Sequence, residues 1–417
     1  MRDEWGIVRG IAFFLFGLFA FPDVLTAQVY QALPKSPITV SGDRVPEGVY
    51  IMPWVAAGVL YDDNVFFSLR GNRQDDVFYR VTPGLQASYR STPFTVIADY
   101  RFDSEVYNKL TQLNTVQQRQ FGTLEIRGRP STNWTVGNIF GYGETKTPFE
   151  LNILTSAQVA RFKSERYYLN PSTEYRFDAS TRATAQYAYS HDNFADVLNI
   201  DSHVLNLGLD RRVSPHDTIG PAYVGRHFTF GGDLNSTVIL GGTSASAEPF
   251  TAHAFMLAWT HEFSAETRLD MRAGPRISNG RLDDFPELFV SLRRRIQGGD
   301  LSLTYTSTVT TIIGTVGSTR ADSVIASMSY EPVKHFTFTA GPLASWIKSS
   351  TFDSTVYTAY LEGAYQFNRY VTAKASAYFS YQEGNFRPIG GATVDNVIIP
   401  RNVYWLRLEF AIPYRWE

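Results

Sequence analysis

The chain has 417 residues, no cysteine and a formal net charge of −2. Absent cysteine excludes disulfides, thiolate metal sites and a lipid-anchored N-terminal cysteine, and the near-zero charge gives no footprint for a nucleic-acid partner. Tyr (24) nearly matches Phe (30), a balance that suits a membrane barrel with aromatic girdles.

Residues 1–27 predict a secretory signal peptide. Arg2 and Arg9 supply basic charge, diluted by Asp3 and Glu4; an apolar run covers Ile11 to Phe21; Pro22 breaks it, and Leu25-Thr26-Ala27 offers a cleavage site before Gln28. The run is too short to cross a bilayer as a helix. No other run approaches 18 apolar residues, so a membrane location for the rest of the chain requires a closed barrel. Residues 28–49, with Pro34, Pro37 and Pro46, read as a periplasmic N-terminal tail, with insertion into a lumen as a plug left open.

From residue 50 to 417 the pattern is that of an outer-membrane β-barrel. Segments of 10–14 residues alternate apolar with polar, as membrane strands do. Val77, Tyr79, Val81, Leu85 and Tyr89 share one face, against Arg80, Thr82, Gln86 and Arg90. Phe94, Val96, Ala98 and Tyr100 oppose Thr95, Asp99, Arg101 and Asp103. Tyr167, Leu169, Thr173 and Tyr175 oppose Arg166, Asn170, Glu174 and Arg176. Leu269, Met271 and Ala273 oppose Arg268, Asp270, Arg272 and Arg276. Val371, Ala373, Ala375 and Phe379 oppose Lys374, Ser376 and Tyr378. The last strand carries Tyr404, Leu406, Leu408, Phe410, Ile412, Tyr414 and Trp416 on one face. A soluble sheet edge would not present such a row to water. It resembles the terminal targeting strand of outer-membrane barrels.

Turn chemistry supplies the count. Tight Pro, Gly, Ser, Asn and Asp clusters recur at 91–93, 130–132, 178–180, 214–217, 264–266, 298–300, 331–333 and 367–369, and wider loops fall between them at 61–76, 106–117, 146–163, 193–201, 231–249, 280–286, 313–320, 349–354 and 384–400. Nine loops and eight turns predict an all-β, transmembrane antiparallel up-and-down barrel of about 18 strands, within 16–20. Both termini then fall on the periplasmic side. Two places resist the pattern: Thr218 to Phe230 has no clean face, and Arg294 interrupts an apolar row, so that either it lies near a rim or the register there shifts by one. A soluble multi-sheet protein is the competing fold.

A barrel of this size leaves an aqueous channel, so the inward faces are the candidate site. They carry 16 basic against nine acidic residues, the acidic set being Asp99, Asp103, Glu125, Glu174, Asp178, Asp210, Asp270, Glu362 and Glu409. Expected pore-lining residues are Arg80, Arg101, Arg127, Arg176, Arg268, Arg272, Arg276, Arg293, Arg295, Lys374, Arg407, Tyr378 and Trp405. The densest basic ladder is Arg268, Arg272 and Arg276 beside Arg293 and Arg295 on the eleventh and twelfth strands; such rows concentrate anions. The competing reading is cross-strand charge pairing that merely hydrates the wall. Inward Tyr168, Tyr360, Tyr378 and Trp405 would offer flat faces to sugar rings, or fill space.

Enzymatic patterns are weak: there is no nucleophile elbow, no His-Glu-x-x-His and no phosphate-binding glycine loop. Seven histidines are scattered. Asp62-Asp63-Asn64 could hold calcium but lacks calcium-loop spacing and reads better as the turn that opens a loop. No catalytic residue, metal or cofactor is expected.

Tyr61-Asp62-Asp63-Asn64-Val65-Phe66 after Gly58-Val59-Leu60, with Pro83-Gly84-Leu85 and Tyr89, resembles the outer-membrane β-barrel porin family encoded with exopolysaccharide genes in proteobacteria. The motifs cover 58–90 and the hairpin rhythm extends the likeness over most of 50–417. The resemblance implies an 18-stranded barrel in the outer membrane of a Gram-negative bacterium. It also implies export of an exopolysaccharide with a periplasmic polysaccharide-export protein as partner; the basic lumen suggests an acidic polymer. Outer-membrane lipid and the barrel assembly machinery would be further partners. The alternatives are a general diffusion porin for small solutes and a closed barrel that anchors a surface complex.

Overall fold

The computed structural model describes residues 47–147, 154–157, 161–232, 248–315, 317–349, 352–386 and 394–416. The expected signal peptide, and all but the last three residues of the expected tail, lie outside them. β1 (Gly48–Asp62) begins two residues ahead of the expected barrel boundary.

Alternation drives the strands. A residue pair that faces lipid and lumen in turn satisfies both media only if the backbone is extended and its polar groups are bonded to neighbours. The chain meets this with β2 (Asp76–Arg90), β3 (Phe94–Tyr107), β4 (Thr115–Ser131), β5 (Trp134–Thr145), β6 (Ser164–Arg176), β7 (Thr181–Phe194), β8 (Leu198–Arg212), β9 (Asp217–Gly232), β10 (Phe250–Glu262), β11 (Thr267–Gly274), β12 (Arg276–Ser278), β13 (Arg281–Leu282), β14 (Glu287–Ile296), β15 (Gly299–Thr310), β16 (Thr319–Val333), β17 (Phe336–Lys348), β18 (Phe352–Asn368), β19 (Val371–Phe386), β20 (Val394–Ala411) and β21 (Tyr414–Trp416). β12 continues β11 past Pro275 in unbroken register on β10. β21 continues β20 along β1, and β13 is a short ribbon on β12 inside a loop. The result is a closed antiparallel barrel of 18 staves, because β1 pairs with β2 on one edge and with β20 and β21 on the other.

The connections segregate. Eight short turns lie at one rim with the start of β1 at Gly48 and the end of β21 at Trp416, and nine connections, most of them wider, lie at the other. Two expected boundaries move. β16 runs through Pro332 to Val333 because a bulge follows Tyr330, and the turn falls at Lys334-His335, with His335 at φ 71°. The wide loop expected at 193–201 is only Ala195 to Val197, because Ala195 and Asp196 both take positive φ (55° and 56°) and reverse the chain at once.

Side-chain direction follows the alternation. Tyr79, Leu85, Tyr100, Tyr167, Leu207, Leu257, Leu406, Leu408 and Ile412 are exposed on the outside. Arg80, Arg101, Phe121, Tyr168, Gln382 and Glu409 are buried on the inside. Arg294 faces out and is exposed, close to the turn after Ile296, where a charge costs little. β9 looked faceless because its inward row is itself largely apolar: Ala222, Val224, Phe228 and Phe230 are buried around Arg226. Inward aromatics lie flat on the wall where glycine makes room. A Cβ at Gly84 would stand 2.2 Å from the Trp54 ring, and one at Gly141 2.0 Å from the Tyr168 ring.

Candidate functional site: the barrel interior and its two mouths

At the loop-side mouth the interior charges are buried and matched. Arg80 reaches Glu105 at 2.5 Å, and Arg119 reaches Asp103 at 3.0 Å. Arg166 pairs with Asp192 at 2.5 Å, and Arg401 forks onto Asp62 at 2.7 Å. Glu287 takes Arg226 at 2.7 Å, Arg276 at 3.1 Å and the Thr308 hydroxyl at 2.7 Å. Lower on the wall, Lys374 meets Glu409 at 3.0 Å, and Arg407 meets Glu362 at 3.1 Å and Glu409 at 2.8 Å. Buried ions persist only when paired in this way.

The expected residues therefore divide. Arg80, Lys374 and Arg407 belong to this lattice, and Arg101 lies buried with its guanidinium 4.9 Å from the Phe121 ring centre. Arg276, expected as one end of a basic ladder, is 2% exposed and held by Asp283 and Glu287. The ladder is therefore broken at its loop-side end. Arg272 lies inside, within electrostatic reach of Asp210 and Asp270 and of Arg182 and Arg268. The Trp405 ring is occupied by cations rather than standing free: Arg80 lies 4.9 Å from its centre and Arg407 4.2 Å, both within cation–π range. Tyr360 donates to Glu362 at 2.5 Å, and Tyr168 packs into an apolar cluster. Tyr378 is half-buried on β19, two residues from Ser376, whose hydroxyl donates to Glu362.

The turn-side mouth is different. Arg127, Arg176 and Arg182 have side chains 71%, 60% and 44% exposed, although each touches a carboxylate of Glu125 or Glu174. Arg268, Arg293 and Arg295 line a cavity of about 230 Å³ with Glu262 and Glu266. Arg268 also donates to Asp270 at 2.7 Å and sits directly opposite Arg293 across the β11–β14 ladder. Of the expected ladder, this turn-side part remains in contact with solvent.

Loops complete the other mouth. A continuous cluster of buried apolar side chains joins Phe121, Tyr168, Phe194, Leu198, Ile200, Phe228 and Phe230 on one side of the barrel to Ile347, Val356, Val397 and Ile399 on the other. Phe67, Ala157, Ile312 and Ile313 from three loops fill it. The loop between β5 and β6 reaches inward. Its Leu154 carbonyl accepts from Ser323 on β16 at 2.9 Å, and Arg161 donates to the Val65 carbonyl at 3.3 Å and the Tyr107 hydroxyl at 2.9 Å. Sequence reading missed Asp62, Glu105, Arg119, Asp192, Arg226, Glu287 and Arg401. All but Arg226 sat in or beside stretches taken as loops, and Arg226 lay on the strand that showed no clean face.

The outside explains the tyrosines. Towards the loop side, Tyr142 donates to Glu144 at 2.7 Å, Tyr189 to Asp201 at 2.8 Å, Tyr305 to Asp322 at 3.2 Å and Tyr381 to Glu383 at 3.2 Å. Towards the turn side stand Trp134, Tyr175, Phe177, Phe263, Tyr365, Phe367 and Tyr414. Two aromatic rings with an apolar band between them form the surface of a barrel that spans a membrane.

No protein-family profile matches the chain, and no curated protein does. Among solved structures, OpdO of Pseudomonas aeruginosa is 10% identical over 88% of this chain and 98% of its own, with a TM-score of 0.44. OpdQ of the same organism is 10% identical over the same shares, at 0.42. Its siderophore receptor PirA is 8% identical over 88% and 81%, at 0.43. Similarity this low carries no argument about this chain. Among the described residues no cluster of His, Asp or Glu is arranged to hold a metal. Asp62 and Asp63 are engaged by Arg401, Arg73 and Asn402.

Proposed function

We propose that this chain is an outer-membrane channel that gathers anions at its periplasmic mouth and is closed at its outer mouth until that mouth is opened. The observation that carries this reading is the asymmetry of the lumen. Exposed arginines on β4, β6, β7, β11 and β14 stand at the turn side, and neutralised arginines with an apolar layer occupy the loop side. Exposed cations at a mouth raise the local anion concentration, while an apolar constriction stops conduction by dewetting. The turn rim then faces the periplasm, as in barrels with short periplasmic turns.

The cargo we favour is an acidic exopolysaccharide delivered by a periplasmic export protein. The motifs within 58–90 support it, and so does the shut outer mouth: a conduit for a polymer must be closed between uses, whereas a general diffusion porin works open. Planar-bilayer recordings test the channel. Arg293→Glu with Arg295→Glu is expected to move the reversal potential in a salt gradient towards cation preference, and an unchanged potential would remove the anion argument. A deletion strain tests the cargo: polysaccharide should disappear outside and accumulate in the periplasm. Unaltered secretion beside intact conductance would leave a diffusion porin.

A further inference from the structure

Four of the seven histidines stand together on the outside of the barrel, facing away from the lumen. His191 on β7, His203 on β8, His227 on β9 and His253 on β10 share the parity of the exposed Leu205, Leu207, Phe255 and Leu257. They lie on the loop side of that apolar band. The cross-strand row is continuous: Tyr189 faces His203, His203 faces His227, and His227 faces Thr251. The rings of His203 and His227 are 6.2 Å apart.

We propose that this face binds the phosphate group of an outer-leaflet glycolipid; the proposal rests on the membrane reading above. Two observations converge. The first is contrast around the rim. Three tyrosines elsewhere on this level, Tyr142, Tyr305 and Tyr381, are met by the carboxylates of Glu144, Asp322 and Glu383, which repel phosphate. On β7–β10, where Tyr189 still donates to Asp201, imidazoles meet two further tyrosines: Tyr187 meets His203 Nδ1 at 2.6 Å and Tyr223 meets His253 Nδ1 at 2.7 Å. The second is the direction of the donors. A tyrosine hydroxyl that donates to Nδ1 leaves the imidazole proton on Nε2, at the far edge of the ring. His203 and His253 then present N–H groups away from the tyrosines, at the level where headgroups lie. His227 is oriented by Thr251 at 2.8 Å. Asp201, which accepts from Tyr189 and His191, is the opposing charge within the face. Glu165 on β6 is held by Lys163 at 2.5 Å.

The test uses the full barrel in detergent, with bisphosphorylated lipid A and the same lipid after enzymatic dephosphorylation as probes. Retained lipid is counted by native mass spectrometry. Wild-type protein should retain the phosphorylated form about tenfold better, the ratio expected of one charge-assisted hydrogen bond. His203→Phe with His253→Phe keeps the aromatic girdle and should erase the preference, while Asp201→Asn should increase it. Equal retention of the two lipids by the wild type, or a preference that survives the double substitution, overturns the proposal. Insertion into vesicles, followed by heat-modifiable gel mobility, is read on the same proteins. Failure of the wild type to insert would overturn the membrane reading and this site with it, whereas insertion with equal retention overturns the site alone.

Discussion

Glu287 shows how much one side chain can hold. It accepts from Arg226, Arg276 and Thr308 and is almost fully buried. Removing one partner of a buried ion pair leaves an uncompensated charge, at a cost of about 3–5 kcal/mol; here Arg226 would lose this counter-charge and Arg276 would be left with Asp283. Glu287→Gln is therefore expected to lower stability by about that much, read as a fall in the urea midpoint of the barrel refolded into vesicles. A midpoint within error of wild type would mean that Asp283 alone neutralises the cluster. Glu287 did not stand out in the sequence, and Arg226 did so only as a residue of the strand with no clean face. Parity shows which face a residue joins, but not which partner its charge meets. The inward placement of Arg80, Arg101, Lys374 and Arg407 was legible in the alternation. Their pairing depended on register between strands, as with Arg407 on Glu362, 45 residues away.

Among elements, the connection between β5 and β6 is the one that acts at a distance. Its described residues reach two separate walls, through Leu154 to Ser323 and through Arg161 to Val65 and Tyr107. If Arg161 latches the loop across the mouth, Arg161→Ala removes two hydrogen bonds, each worth about 1 kcal/mol. Open probability in planar bilayers should rise by about tenfold or more, with single-channel selectivity unchanged. Recordings identical to wild type would show that the apolar layer closes the mouth without this latch. Composition marked 146–163 as a loop. It held no sign that the loop turns inward, because the contacts that draw it there come from β3, β16 and the loop after β1.

At the scale of the whole molecule, the outer surface makes the strongest claim. The outward row of β20 runs from Tyr404 through Leu406, Leu408 and Phe410, and continues with Ile412 and, on β21, Tyr414. Tyr404 and Tyr414 stand at opposite girdles and Leu408 lies between. Arginine facing lipid costs about 2–4 kcal/mol at the midplane and about 0–1 near an interface. Leu408→Arg should therefore destabilise the refolded barrel by the larger amount and Ile412→Arg by the smaller, measured by urea unfolding in vesicles. Equal effects would mean that the band does not lie across a bilayer as drawn.

Sequence by itself determined the class of fold, the two faces of nearly every strand and the rhythm of eight turns and nine loops, because side-chain direction in a strand repeats every two residues and turn chemistry is local. Tertiary structure alone decided which charges neutralise one another, that the exposed arginines are left at the turn-side mouth, and that described residues of three loops pack into the interior at the other. The physical reason is closure. Joining β1 to β20 brings Asp62 onto Arg401 across 339 residues of chain, and the same ring of staves gives three loops a common interior to fill. Such contacts are set by register and curvature summed around the whole barrel, and no window of sequence contains them.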